Sequence, residues 1–183
     1  MKNFCAVLIL PALILTACPK DKKTGTPDQP PVQAKTIEDF IFNDAPRNDI
    51  PQSAQSTIGK LPNDVLAGFG TAKMANMSMS RTTAQTRART DIFRQIEKSS
   101  LDMINAYATK NNFIPPETLP SEVNQALSKV VFTGLSVVDE DMENDGSYWA
   151  VVTFNKTMAD DAAKEVIKTI KLTMPEMDFL PNY

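Results

Sequence analysis

A stripe of apolar residues at helical spacing runs through the middle of this chain. Ala84, Ala88, Ile92, Ile96, Met103 and Tyr107 recur on one side, and Phe93, Leu101 and Ile104 widen the band. The spacing predicts a helix from about Ser80 to Thr109, roughly 45 Å long at the α-helical rise. A kink or break near Ser99-Ser100 would fit that length to a small domain. Arg87, Asp91, Arg94 and Lys98 occupy the opposite side, charges at three- and four-residue spacing that suit a solvated surface. Asn111-Asn112 and Pro115-Pro116 end the pattern. Such a helix must lay its stripe on a second layer.

The flanking segments supply that layer. Val65 to Ala72 reads as a strand whose Leu66, Gly68, Gly70 and Ala72 share one face at period two. Glycine inside a strand marks close approach of another backbone, so Ala84 and Ala88 are expected over this face. Phe69 then points the other way, toward a cover from Ile37, Phe40 or Phe42; Val65, Ala67 and Phe69 form a rival apolar face. A second helix is expected from Ser121 as N-cap, with Val123, Ala126, Leu127, Val130 and Val131 inward. Leu135 to Asp139 and Tyr148 to Phe154 read as strands joined by the polar turn Asp141 to Gly146, where Asp-Gly is a hairpin signal. Thr157-x-x-Asp160 resembles a capping box opening a last helix, with Ala162, Val166, Ile167 and Ile170 inward and Pro175 as its stop. The order β-α-α-β-β-α predicts an α+β fold of two layers, a small, mainly antiparallel sheet with helices on one face.

The amino-terminal region reads differently. A basic start, Met1-Lys2-Asn3, precedes an apolar run from Phe4 to Leu15, and Leu15-Thr16-Ala17-Cys18 resembles a lipobox. The run is short of the roughly 20 residues a membrane span needs, and Pro11 interrupts it. Residues 1–17 are therefore expected to be a lipoprotein signal peptide, cut before a lipidated Cys18. An ordinary signal cut near Ala17 and an uncleaved anchor are the alternatives. Pro19 to about Lys35 is a Pro-, Lys- and Thr-rich linker unable to bury enough surface to order itself. Ile37, Phe40, Ile41 and Phe42 form an apolar knot, and Asn43 to Gly59 reads as turn-like, with Pro46 and Pro51. Residues 18–60 are thus assigned to the lipidated cysteine, linker and amino-terminal segment, and 61–183 to the folded domain.

Composition removes whole classes of chemistry. The 183 residues contain no histidine and two cysteines, Cys5 within the signal and Cys18 at its end. Ser–His and Cys–His catalysis, zinc sites built on His or Cys, and internal disulfides are excluded from the mature domain. A formal charge of −3 suggests neither nucleic acid nor a strongly anionic partner. Gly68-Phe69-Gly70 lacks the third glycine of a dinucleotide loop, since Lys73 stands there. Asp141, Glu143 and Asp145 with Gly146 imitate the start of a calcium loop, yet Val152 occupies the place of its closing acid. Arg81, Arg87, Arg89, Arg94 and Lys98 read either as a solvated helix face or as a patch for anionic lipid or glycan. Trp149, the sole tryptophan, reads as core packing or as a partner contact. No catalytic, cofactor-binding or metal-ligating residue is assigned, and Cys18 is the one site residue.

Gly68-Phe69-Gly70-Thr71-Ala72, the segment Thr83 to Ile92 with its Ala–Arg repeats, and the hairpin strand Gly146 to Val152 together resemble the Lpp-twenty lipoprotein family over about residues 61–170. Asn63-Asp64 stands where many members carry an aromatic. The resemblance implies a strand, a long helix and a carboxy-terminal hairpin in a small bacterial envelope lipoprotein, with no established catalytic residues. The expected role is a non-catalytic structural or interaction module, tethered to the membrane through lipid on Cys18 and contacting an envelope protein or glycan. The alternative is a binding factor assisting assembly of an envelope structure such as the flagellar basal region. Pro19 after Cys18, in place of the Asp that retains enteric lipoproteins at the inner membrane, points to the outer membrane. A continuous apolar groove would favour binding, and a cleft with two close carboxylates would favour an enzyme.

Overall fold

The computed structural model describes residues 50–183, so Cys18, the linker and the Ile37–Phe42 knot lie outside the described residues. The elements run α1 (Gln52–Gly59), β1 (Val65–Ala72), α2 (Met77–Lys110), α3 (Leu119–Leu127), β2 (Ser136–Met142), β3 (Tyr148–Asn155) and α4 (Lys156–Thr173), then a 3-10 turn, Pro175–Met177. The sheet is antiparallel with β3 central, in the order β1-β3-β2. Gly68 lies opposite Val152 and Gly70 opposite Ala150. On the other side of β3, Val137 pairs Val152 while Asp139 pairs Val151, so Val138 is bulged out. The α+β class and the order from β1 onward are as the sequence predicts.

One face of the sheet carries α2. Ala72, Ala84, Ala88, Ala150 and Val152 pack as a cluster of small residues. A Cβ on Gly68 would collide with the Ala88 carbonyl, and one on Gly70 with that of Ala84. The expected seating of the helix on Leu66, Gly68, Gly70 and Ala72 is therefore the one adopted. Farther along α2, Ile92, Ile96 and Ile104 join Val123, Phe154, Val166, Ile167 and Ile170 in the main core shared with α3 and α4.

The opposite face holds Trp149, Val151 and the partly buried Phe69, covered by Ala54, Ile50, Ile58 and Leu61. Trp149 is thus a core residue, although its indole N–H has no acceptor among the described residues. The cover comes from α1, a helix where the sequence predicts turn. Pro51 stands at its N-cap, and Ala54 and Ile58, four apart, turn inward. The Thr57 hydroxyl donates to the Asp139 carboxylate and ties α1 to β2. Ile37, Phe40 and Phe42, the expected cover of Phe69, lie outside the described residues.

Other boundaries move for local reasons. Helix α2 begins at Met77 because the Asn76 side chain accepts the Met79 N–H at 2.8 Å. It runs without a break through Ser99-Ser100; the buried Ser100 hydroxyl donates to the Ile96 carbonyl at 2.9 Å and needs no gap in the helix. Helix α3 opens at Leu119 with Pro120 in its first turn, so Ser121 is not its N-cap. It stops at Leu127, which leaves Val131 85% exposed instead of inward. The capping box at Thr157 is replaced by Asn155, whose Oδ1 accepts from Thr157 and Met158 N–H at 2.9 and 3.3 Å. Strand β2 extends to Met142 and takes three residues from the expected turn and its approach. Among the described residues no helix is long and apolar enough to cross a membrane.

Candidate functional site

A groove of about 1010 Å³ opens between α2 and α3. Its α2 wall presents Thr86, Arg89, Thr90, Phe93, Arg94 and Glu97, one face of three successive turns. Its α3 wall presents Pro120, Ser121, Asn124 and Ser128, and the following segment contributes Val130, Phe132 and Leu135. Phe93 and Phe132 form the floor, tilted at 42° with ring centroids 4.5 Å apart, and Phe132 meets Phe154 edge-on at 5.8 Å. Both groove phenylalanines remain partly exposed. The walls are polar at the lips: Ser121, Asn124 and Ser128 are exposed and uncharged, and the α2 lip carries two arginines and one carboxylate. Asn124 donates to Glu97 at 3.5 Å, bridging the two walls.

Val131 to Gly134 connects α3 to β2 as a strap with no backbone hydrogen bond among the described residues. Phe132 turns into the groove from this strap. It also lines a shallower concavity of about 260 Å³ on the other side, with Val131, Met158 and Glu165. Phe132 holds the strap by packing between Phe93, tilted at 42°, and Phe154, met edge-on at 63°.

The arginine series does not assemble one patch. Arg81 pairs with Glu140 on β2, and Gln85 donates to the same carboxylate at 2.7 Å. Burial alone would raise the Glu140 pKa, but hydrogen bonds from Arg81 and Gln85, together with the Arg81 charge, hold it below the ordinary glutamate value. Lys98 pairs with Asp102 at 2.6 Å. Arg89 and Arg94 reach the groove.

Arg87 and Asp91, expected on a solvated face, serve the sheet instead. Arg87 donates to the Thr71 carbonyl at 2.5 Å, Asp91 accepts the Phe69 N–H at 3.0 Å, and Gln95 donates to the Ala67 carbonyl at 2.8 Å. Ala67, Phe69 and Thr71 turn these groups away from β3, so three side chains spaced four apart on α2 seal the free edge of β1. The β2 edge is blunted by the bulge at Val138 and by Asp139 and Asp141, whose carboxylates accept the Glu140 and Met142 N–H groups at 3.0 and 2.7 Å.

The acidic turn is occupied with its own geometry. Asp145 accepts from the Ser147 N–H and hydroxyl at 2.9 and 2.6 Å, and these bonds lower its pKa. Gly146 takes φ +83° and closes on Glu143. Among the described residues no group of three or more potential metal ligands comes together. Gly68-Phe69-Gly70 is likewise a strand pressed against a helix, with no room over Gly68 or Gly70 for a phosphate. The groove was not foreseen from the sequence. Its signal was Val130, Val131 and Phe132, apolar residues that lie past the end of α3 and before the strand.

Comparison with protein-family models, curated proteins and solved structures gives no match for this chain.

Proposed function

We propose that the protein is a lipid-anchored bacterial envelope lipoprotein whose α+β domain is a non-catalytic binding module. The observation that carries the binding role is the Phe93–Phe132 floor of the α2–α3 groove. Apolar surface left in water forgoes about 25 cal/mol per Å² that burial would supply, and a concave apolar surface rimmed by polar groups marks a place for a partner.

Anchoring rests on Leu15-Thr16-Ala17-Cys18 and the apolar run before it. The likeness to Lpp-twenty lipoproteins belongs to the same proposal; the order of strand, long helix and carboxy-terminal hairpin supports it. Pro19 directs the proposal to the outer membrane, with an envelope protein or glycan as partner. Stable attachment takes two or more acyl chains at about 0.8 kcal/mol per buried CH₂. Cys18→Ala should move the protein from the membrane fraction to the soluble one, or leave it unprocessed. A processed Cys18→Ala chain that stays fully membrane-bound would overturn the lipoprotein reading.

A further inference from the structure

We propose that Met74, Met77 and Met142 form a thioether site for a soft monovalent cation, copper(I), at one end of the sheet. The site shares no residue with the α2–α3 groove and does not depend on it. Register and one ion pair place two of the three sulfurs. Arg81 of α2 pairs with Glu140 of β2, so helix and strand lie side by side at that level. Met77 stands one turn before Arg81 on the same side of the helix, and Met142 stands two residues beyond Glu140 on the same face of the strand. Both steps lead to one end of the sheet. Met142 pairs with Tyr148, which pairs with Ala72, the last residue of β1. Ala88 lies over Gly68 and Ala84 over Gly70, so the start of α2 passes beyond Ala72. The third sulfur comes from the loop between β1 and α2. The Met74 N–H donates to the Ser80 hydroxyl at 2.9 Å, which folds the loop back onto the helix, and Met74 and Tyr148 both pack on the cluster of Ala72, Ala84 and Ala88 at this end.

Exposure separates these residues from core filler. Met77 is 59% exposed and Met142 47%, although methionine serves packing by filling gaps in a core. What they share with the partly buried Met74 is a flexible, uncharged, polarisable sulfur, and thioether donors select copper(I) among the common metal ions. The ligands that fail to gather at the acidic turn are those of hard and borderline cations. No three Asp, Glu or Cys side chains come together among the described residues, and the chain has no histidine. Charge around the three sulfurs favours a cation as well. Glu140 and Asp145 are paired with Arg81 and Lys73, and Asp141 and Glu143 on either side of Met142 add negative charge. Met79, two positions after Met77, is carried to another side of α2 and is no part of the site.

The experiment uses the full lipidated chain in detergent micelles, with any free thiol first blocked by N-ethylmaleimide. Copper(I), kept reduced by ascorbate without oxygen, is titrated in competition with a chromogenic copper(I) chelator. The wild type should take up a single equivalent. Met77→Leu and Met142→Leu, which keep the apolar bulk and remove the sulfur, should each weaken copper(I) by at least about tenfold with an unchanged melting temperature. Met79→Leu should bind as the wild type does. A thioether holds no proton for the metal to displace, so affinity should stay level from about pH 7.5 down to about pH 5, where a carboxylate site would weaken. X-ray absorption at the copper edge of the wild-type complex, which needs no variant, should show sulfur neighbours. The proposal is overturned if copper(I) is not retained against the chelator, or if its neighbours are oxygen or nitrogen alone. It is equally overturned if Met77→Leu and Met142→Leu bind like the wild type, or if Met79→Leu weakens binding as much as they do.

Discussion

Gly68 lies directly beneath the carbonyl of Ala88, and the absent side chain is what lets β1 and α2 come this close. A Cβ at Gly68 would meet that backbone oxygen and would stand 2.8 Å from Ile92 Cγ1. The oxygen belongs to a continuous helix and cannot step aside as a flexible side chain would. Gly68→Val should therefore cost about 3 kcal/mol, the upper end of the usual overpacking range, and Ala88→Leu a similar amount. Gly59, with nothing near its missing Cβ, is the control; Gly59→Ala should stay within about 0.5 kcal/mol of wild type. Urea melts with coincident midpoints for Gly68→Val and wild type would show that the helix is not seated here.

This contact was legible because both partners advertise it. Gly68 and Gly70 at period two, and Ala84 and Ala88 at helical spacing, are small where two backbones meet. Helix α1 was hidden by its surroundings: Pro46 and Pro51 suggest turns, and two inward residues, Ala54 and Ile58, make too short a stripe to read. The edge seal was invisible for another reason. Arg87, Asp91 and Gln95 have the spacing of any solvated helix face, and their role appears only once β1 is known to be an edge strand beneath them. The groove depends on Phe93 and Phe132, far apart in the chain and paired only by the tertiary fold.

Glu140 makes stability depend on pH at the acid end. Its carboxyl is held below the ordinary value by Arg81 and Gln85 against the opposing effect of burial. The folded state thus releases this proton more readily than the unfolded chain. The resulting stability is present above the unfolded pKa and is lost as pH falls through the folded one. Glu140→Gln should lie below wild type in denaturant midpoint at neutral pH, and the gap should close on acidification. A gap that stays constant down through the carboxylate range would remove Glu140 from the account.

Tyr183 acts at the alkaline end. Its hydroxyl lies 3.3 Å from that of Tyr107, and this hydrogen bond, with burial, raises the Tyr183 pKa to about 12. Here the folded state holds its proton more tightly. The contribution is complete below the ordinary tyrosine value and is lost as pH rises toward about 12. Tyr107→Phe should bring Tyr183 ionisation down toward the ordinary range in a tyrosinate absorbance titration. An unchanged late step in that variant would assign the shift to another cause.

The last prediction concerns the sealed edge of β1. Asp91 receives the Phe69 N–H and Gln95 donates to the Ala67 carbonyl, so two groups that would otherwise template a further strand are taken up within the chain. Removing either side chain leaves a partly buried backbone group without its partner, at a cost of about 1–3 kcal/mol. Asp91→Ala and Gln95→Ala should each lower stability by that order, and the double variant should also self-associate, because an exposed edge pairs readily with its like. The matched control is Asp102→Ala, on the same helix and paired with Lys98 in solvent, which should change stability by less than about 0.5 kcal/mol. Denaturant melts read the first effect and sedimentation velocity the second. A double variant that is less stable yet strictly monomeric at high concentration would show that these side chains hold α2 on the sheet without guarding its edge.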